Sequence, residues 1–209
     1  MKIILASQSP RRKELLTLIV PKFEVMVSNQ EEMFNNTLSV EEQVTEIAYT
    51  KAKNVYDRTN GDRIIIGSDT IVTKNGKIYG KPKDRNHAKE MIKELITGEK
   101  VHKIITGLSI LIEENGILKE YKTYDTVNVY LKDMTDEEIE KWLYTENAMD
   151  KAGAYGIQNE FCVHVEKIEG NYTTALGLPT HKVYDIIKEY IWMWIVTNSK
   201  TFPITFVIK

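Results

Sequence analysis

The stretch Ser7-Gln8-Ser9-Pro10-Arg11-Arg12-Lys13 concentrates hydroxyls and cations in one short run. Guanidinium forks grip phosphate oxygens two at a time, and Ser7 and Ser9 add donors beside Arg11 and Arg12. The cations fall where a helix would begin, an end whose dipole ordinarily disfavours positive charge, so an anion there would offset the cost. The plainer alternative is a solvated basic turn paired with surface acids. Asp69, in Gly67-Ser68-Asp69-Thr70, follows the aliphatic run Ile64-Ile65-Ile66. That places a carboxylate at the carboxyl end of a buried strand, the edge at which open α/β sheets take ligands. Such a group can direct a water, or it can simply turn the chain into a hairpin. Lys81 follows the hairpin in Gly80-Lys81-Pro82 and Lys51 lies among apolar neighbours in the 40–56 segment, and either can be an ordinary surface lysine. Glu31 and Glu32 can bind a divalent cation with Asp69, or form a solvated acidic turn. Farther on, Asp150-Lys151-Ala152-Gly153-Ala154-Tyr155-Gly156-Ile157-Gln158 places two glycines around a tyrosine and ends in an amide. Glycine lets backbone approach a ligand, and the Gln158 amide offers the donor and acceptor that would match the imide edge of a pyrimidine.

The elements that must position these residues alternate between strand-like runs and helix-period segments, which predicts an α/β domain. Ile3–Ala6 reads as a buried strand, and Arg11–Ile19 as a helix with Ser9 as N-cap and Pro10 in its first turn. Phe23–Ser28 reads as a second strand. Val40–Tyr56 is a helix with Val44, Ile47, Ala48, Ala52 and Val55 on one face. Arg63–Gly67 is a strand buried on both faces, ending at Ser68-Asp69-Thr70. Asn75-Gly76 closes a hairpin, and Glu114-Asn115-Gly116 closes another between Lys103–Ile112 and Tyr121–Leu131. His87–Leu95, Thr135–Tyr144 and His181–Tyr190 complete the helices, the second opened by the Thr135/Glu138 capping box. A boundary, if the chain has one, falls near residues 132–136.

Composition narrows the function classes. The 28 Lys and Arg nearly balance the 30 Asp and Glu, for a formal charge of −2. Nothing in the bulk charge advertises a nucleic-acid or membrane partner, and any anion site must be local. With 42% hydrophobic residues and 28% charged, the chain is ordinary for a globular domain. The single Cys162 cannot form an internal disulfide, and the four histidines are scattered rather than set at zinc spacing. The apolar run Ile191–Val196 is far short of a membrane span. A cytoplasmic location is expected.

Taken together, Leu5-Ala6-Ser7-Gln8-Ser9-Pro10-Arg11-Arg12 with Glu14-Leu15-Leu16, Gly67-Ser68-Asp69-Thr70, Gly80-Lys81-Pro82, Asp150–Gln158 and Gly177-Leu178-Pro179 resemble the Maf family. These are nucleoside triphosphate pyrophosphatases related in fold to the inosine triphosphate pyrophosphatases. The motifs occur in family order over residues 1–190, and the Asp150–Gln158 form is that of the dTTP/UTP branch. The resemblance implies a mixed twisted sheet flanked by helices, with two lobes and a nucleotide cleft between them. It implies hydrolysis of dTTP and UTP to the monophosphate and pyrophosphate, with a Mg²⁺ or Mn²⁺ cofactor, a nucleoside triphosphate as partner and a homodimer as the assembly. Asp69 would be the proton acceptor, and Arg12, Thr70 and Gln158 would set base preference. Arg11, Lys51 and Lys81 match phosphate-contacting positions, and Glu32 an acidic position near the metal. The alternatives are a pyrophosphatase for modified or purine nucleotides, and a non-catalytic nucleotide sensor acting in cell division.

The chain departs from the family pattern in three places. Thr97-Gly98-Glu99-Lys100-Val101-His102 is one residue longer than the usual stretch before the histidine, and Asn159 replaces the glycine after Gln158. The tail 191–209, with Trp192, Trp194, Phe202 and Phe206, has no family counterpart. It reads as a dimer-contacting strand pair or as the product of an altered reading frame.

Overall fold

The computed structural model describes residues 1–30, 37–145 and 148–198. The elements run β1 (Lys2–Leu5), α1 (Pro10–Thr17), β2 (Glu24–Val25), α2 (Val40–Tyr56), β3 (Arg63–Lys74), β4 (Lys77–Tyr79) and α3 (Arg85–Ile96). They continue with β5 (Val101–Glu114), β6 (Ile117–Leu131), α4 (Asp136–Thr145), three short 3₁₀ turns, β7 (Val165–Glu169), α5 (Tyr172–Ala175) and α6 (Thr180–Asn198). The seven strands form one mixed sheet in the order β2-β1-β3-β5-β6-β7, with β4 paired to β3. β1 pairs β2 and β3 in parallel; every other pairing is antiparallel.

Local signals account for most of these elements. Ser39 and Glu42 close a capping box at the start of α2, and Thr135 and Glu138 close one at α4. Both hairpins turn on an Asn-Gly pair with positive φ at each residue, 51° and 79° at Asn75-Gly76 and 52° and 77° at Asn115-Gly116. That backbone matches the right-handed twist of the strands it joins. Helices cover both faces of the sheet. Even-numbered side chains of β3, Ile64, Ile66 and Val72, pack with Leu15 and Leu16 of α1, Ile92 of α3 and Val183 and Ile187 of α6. The odd-numbered Ile65 and Ile71 face α2 through Ala52, Val55 and Val44.

Beyond shifts of one to four residues at the ends of other elements, three depart from the sequence expectation. β2 is only Glu24–Val25 rather than Phe23–Ser28, a short edge strand tied to β1 alone. β3 does not stop at Gly67: it runs through Asp69 to Lys74, because β5 pairs it without a break from Arg63↔Glu113 to Thr73↔Lys103. Asp69 is therefore inside a strand rather than at its end. Helix α6 continues past Tyr190 to Asn198, since Val183, Ile187 and Ile191 form one buried stripe at four-residue spacing. Residues 191–198 thus extend a helix rather than open a strand pair; the expectations for Phe202 and Phe206 lie outside the described residues.

Candidate active site

The site is a notch in one edge of β3. β5 occupies the other edge, so β1 and β4 must share this one. β1 pairs residues 63–66, ending at Leu5↔Ile66, and β4 pairs residues 72–74, beginning at Val72↔Tyr79. From Gly67 to Ile71 this edge has no strand partner among the described residues, a stretch of about 20 Å at the ordinary strand rise. The chain leaving β1 at Leu5 runs into it as Ala6-Ser7, with the Ala6 N–H still bonded to the Ile66 carbonyl at 2.8 Å. The chain leaving β4 at Tyr79 heads back along β3 and brings Gly80-Lys81 to the opposite lip. So Asp69, although mid-strand, still lies just beyond the carboxyl end of the parallel strand β1, where α/β sheets place ligands.

Strand alternation divides the floor of the notch. Asp69 faces α2, where Lys51 Nζ donates to its Oδ1 at 2.6 Å, with the two side chains only 15% and 9% exposed. α2 reaches so close because Gly67 and Gly107 carry no side chain. A Cβ on Gly67 would lie 2.3 Å from the Ala48 carbonyl oxygen, and one on Gly107 would lie 2.3 Å from that of Val44. Gly107 is the β5 residue directly opposite Asp69.

Ser68 and Thr70 face the other side, toward α1. There Arg12 folds back from the first turn of its helix. Its Nε donates to the Gly177 carbonyl at 2.8 Å, Nη1 to Ser7 Oγ at 3.2 Å and Nη2 to Thr70 Oγ1 at 3.1 Å. Proton counting fixes the direction of the chain behind Thr70. Thr106 Oγ1 gives its one hydrogen to the Thr174 carbonyl at 2.8 Å, so in the 3.0 Å contact between the two threonines Thr70 is the donor. Thr70 then accepts from Arg12. Gly177 adopts φ 103°, and a Cβ on it would meet Thr70 Oγ1 at 3.2 Å and Arg12 Nε at 3.3 Å.

Of the remaining expected residues, Ser7, Ser9 and Arg11 follow β1 and Lys81 follows β4. Ser7 is buried on the β1 lip, and its Oγ accepts the Ser9 N–H at 3.2 Å. Ser9 occupies the N-cap position of α1, but its side chain makes no capping bond. Arg11 is half-buried in the same turn. Lys81 is exposed, 3.8 Å from Asp150, and the Gly153 N–H donates to the Gly80 carbonyl at 3.0 Å, tying the glycine-rich segment to that lip. Gln158 is half-buried at the start of a 3₁₀ turn over Asn159–His164. Glu31 and Glu32 lie outside the described residues. The sequence reading passed over Ser68, Thr106 and Thr174, which with the Gly177 carbonyl hold Arg12 in place. The available signal was polarity: Ser68 and Thr106 are fully buried hydroxyls in otherwise aliphatic strands, and such groups are kept where they find hydrogen-bond partners.

A mixed sheet flanked by helices, with a lysine–aspartate pair on one face of β3 and an arginine held on the other just beyond a parallel strand, defines an α/β protein with charged residues at the edge where such sheets take ligands. The family is more specific. The chain belongs to the Maf family, whose description, "Maf-like protein", matches residues 2–190. It is 45% identical over 189 residues to the dTTP/UTP pyrophosphatase of Alkaliphilus oremlandii (strain OhILAs), covering 90% of this chain and 96% of that one. It is 42% identical over 190 residues to the dTTP/UTP pyrophosphatase of Lachnoclostridium phytofermentans, covering 90% and 95%. A solved HAM1 protein from Coxiella burnetii is similar at 12% identity and TM-score 0.44, over 90% of this chain and 99% of that one.

Proposed function

We propose that this chain hydrolyses dTTP and UTP to the nucleoside monophosphate and pyrophosphate, clearing them from the nucleotide pool. The observation that carries the reading is the Lys51–Asp69 pair buried at the floor of the notch, in a chain whose relatives bear that activity in their names. The triphosphate lies along the opening, with Lys51, Lys81, Arg11 and the Ser7–Ser9 lip as its cationic and hydroxyl contacts. Phosphate oxygens compete with Asp69 for the Lys51 ammonium, and that exchange leaves an Asp69 oxygen facing the ligand. Asp69 orients a water and accepts its proton as the water oxygen bonds to the α-phosphorus. The bond from that phosphorus to the bridging oxygen breaks, and pyrophosphate leaves. Charge neutralisation and positioning supply most of the acceleration in such transfers.

A divalent cation fits this donor set. The acids that the reading offers such an ion are Asp69 and Glu32; among the described residues no three His, Cys, Asp or Glu side chains come together. Hard carboxylate oxygens shared with phosphate oxygens suit Mg²⁺ or Mn²⁺. When bound, such an ion offsets charge on the phosphate oxygens. Arg12, Thr70 and Gln158 are assigned to the base. The reading includes a homodimer, on the family resemblance, and a cytoplasmic location, on the single Cys162; among the described residues no helix is long and apolar enough to cross a membrane.

The test is pyrophosphate release from a panel of pyrimidine, purine and modified nucleoside triphosphates with Mg²⁺ or Mn²⁺. Release is expected fastest from dTTP and UTP. Faster release from a purine or modified nucleotide would replace the substrate assignment, and tight binding without turnover would make the chain a sensor.

A further inference from the structure

The backbone of the glycine-rich segment is strained. Gly153 and Ala154 are both left-handed, with φ 70° and 61°. That conformation is unfavourable for a residue with a Cβ, and it persists only where the surroundings over-determine it. Side chains from two other elements do so. The indole Nε1–H of Trp142, on α4, donates to the Ala154 carbonyl at 3.0 Å in a buried setting. His102, on β5, meets the Tyr155 hydroxyl through Nε2, with the two rings edge-on at 5.3 Å. Tyr155 in turn packs on Phe161 at 4.7 Å. His102 is 2% exposed and Tyr155 4%.

Tyr155 has an extended backbone, φ −146° and ψ 168°, and the side chains after it alternate. Tyr155 and Ile157 are buried, while Gly156 and Gln158 are half-exposed. Pinning the Tyr155 hydroxyl therefore fixes which residues face outward and where. Burial pushes His102 down to about 3, with Lys74 acting in the same direction, and burial also raises the Tyr155 phenol. Both groups stay neutral, so their bond is suited to holding geometry rather than to moving protons. The Nδ1 of His102 is buried with no hydrogen-bond partner among the described residues, an unfavourable arrangement that a merely space-filling aromatic residue would avoid.

We infer that His102 and Trp142 are positioning residues for base recognition: from β5 and α4 they lock Ala154-Tyr155 so that Gly156 and Gln158 present one fixed register to the ligand. The inference rests on the proposed reading of Gln158. Wild-type turnover of dTTP and UTP is measured first, and its absence defeats the proposed function before any variant is read. His102→Phe and Trp142→Phe then test the lock, since the second keeps an aromatic ring against Phe161 should the first fail to fold. Each is expected to raise KM for dTTP and UTP about tenfold, the loss of one buried hydrogen bond. The value of kcat should stay within about threefold, and the preference over purine triphosphates should narrow. His102→Gln, whose amide can reach the Nε2 position, should recover most of the wild-type KM. Folded His102→Phe and Trp142→Phe enzymes with wild-type KM and base preference would overturn the inference, as would a fall in kcat at unchanged KM.

Discussion

Lys51 and Asp69 neutralise each other at 2.6 Å with both side chains largely removed from water. Breaking such a pair from one side leaves the other charge without compensation, at a cost of about 3–5 kcal/mol when fully buried. The partial exposure of Lys51 puts this pair at the low end. Asp69→Asn keeps the shape and one acceptor oxygen, so it should still fold, shown by a cooperative urea transition whose midpoint lies below that of the wild type. It should also lose about 100- to 10,000-fold in kcat, the usual span for removing a general base. Near-normal pyrophosphate release from Asp69→Asn would take this residue out of the chemistry. His102 makes a second prediction at the same scale. Its ordinary value of 6.5 is depressed to about 3 by burial, so between those values the unfolded chain binds a proton that the folded chain refuses. The contribution is fully present above pH 6.5 and is lost as pH falls toward 3, with a limiting slope of about 1.4 kcal/mol per pH unit. Urea titrations at pH 7, 6, 5 and 4.5 should show this slope in the wild type, and His102→Gln should remove it. Equal slopes in the two proteins would mean that His102 is free to protonate in the fold.

Helix α2 carries Lys51 to the floor of the notch by lying directly on β3 and β5. The obstacle that a side chain at Gly67 or Gly107 would meet is backbone, the carbonyls of Ala48 and Val44, which cannot rotate aside. Gly107→Ala should therefore lift α2, at the 1–3 kcal/mol typical of overpacking. It should also lower kcat by drawing Lys51 away from Asp69. Stability loss with unchanged kcat would show that the pair survives a shift of the helix. The helix itself was legible in the sequence, bounds included, from its regular apolar face, and the structure adds the Ser39/Glu42 capping box at its start. The close approach was not legible. Gly107 in a run of Ile104, Ile105 and Leu108 signals only that something comes near, and what comes near is set by tertiary packing. The same limit applies to Asp69. Gly67-Ser68-Asp69 reads locally as a strand ending in a turn, and only the unbroken pairing with β5 carries the strand on to Lys74.

Across the whole molecule, the sheet divides the site between two layers, a feature no local motif announces. The basic turn and the acid could be picked out by residue type, the lysines only through the family resemblance. That Arg12 belongs with Thr70 on the α1 side while Lys51 belongs with Asp69 on the α2 side depends on alternation along a strand and on the residue at which β1 stops pairing. This division bears on the double assignment of Arg12 to phosphate and to base. Its guanidinium already donates to Gly177, Ser7 and Thr70, on the face opposite the Lys51–Asp69 pair. If Arg12 serves the base and Lys51 the phosphates, their effects are independent. Arg12→Ala should then mainly raise KM and flatten base preference, Lys51→Ala should mainly lower kcat, and the double variant should lose the sum in log(kcat/KM). Distant or unconnected sites add to within about 0.3–0.5 kcal/mol. If both hold the same phosphate group, removing one already forfeits much of what the other contributes. The double variant would then fall short of the sum by more than about 1 kcal/mol, roughly fivefold in kcat/KM. That shortfall would assign Arg12 to the phosphates and leave Thr70 and Gln158 to read the base.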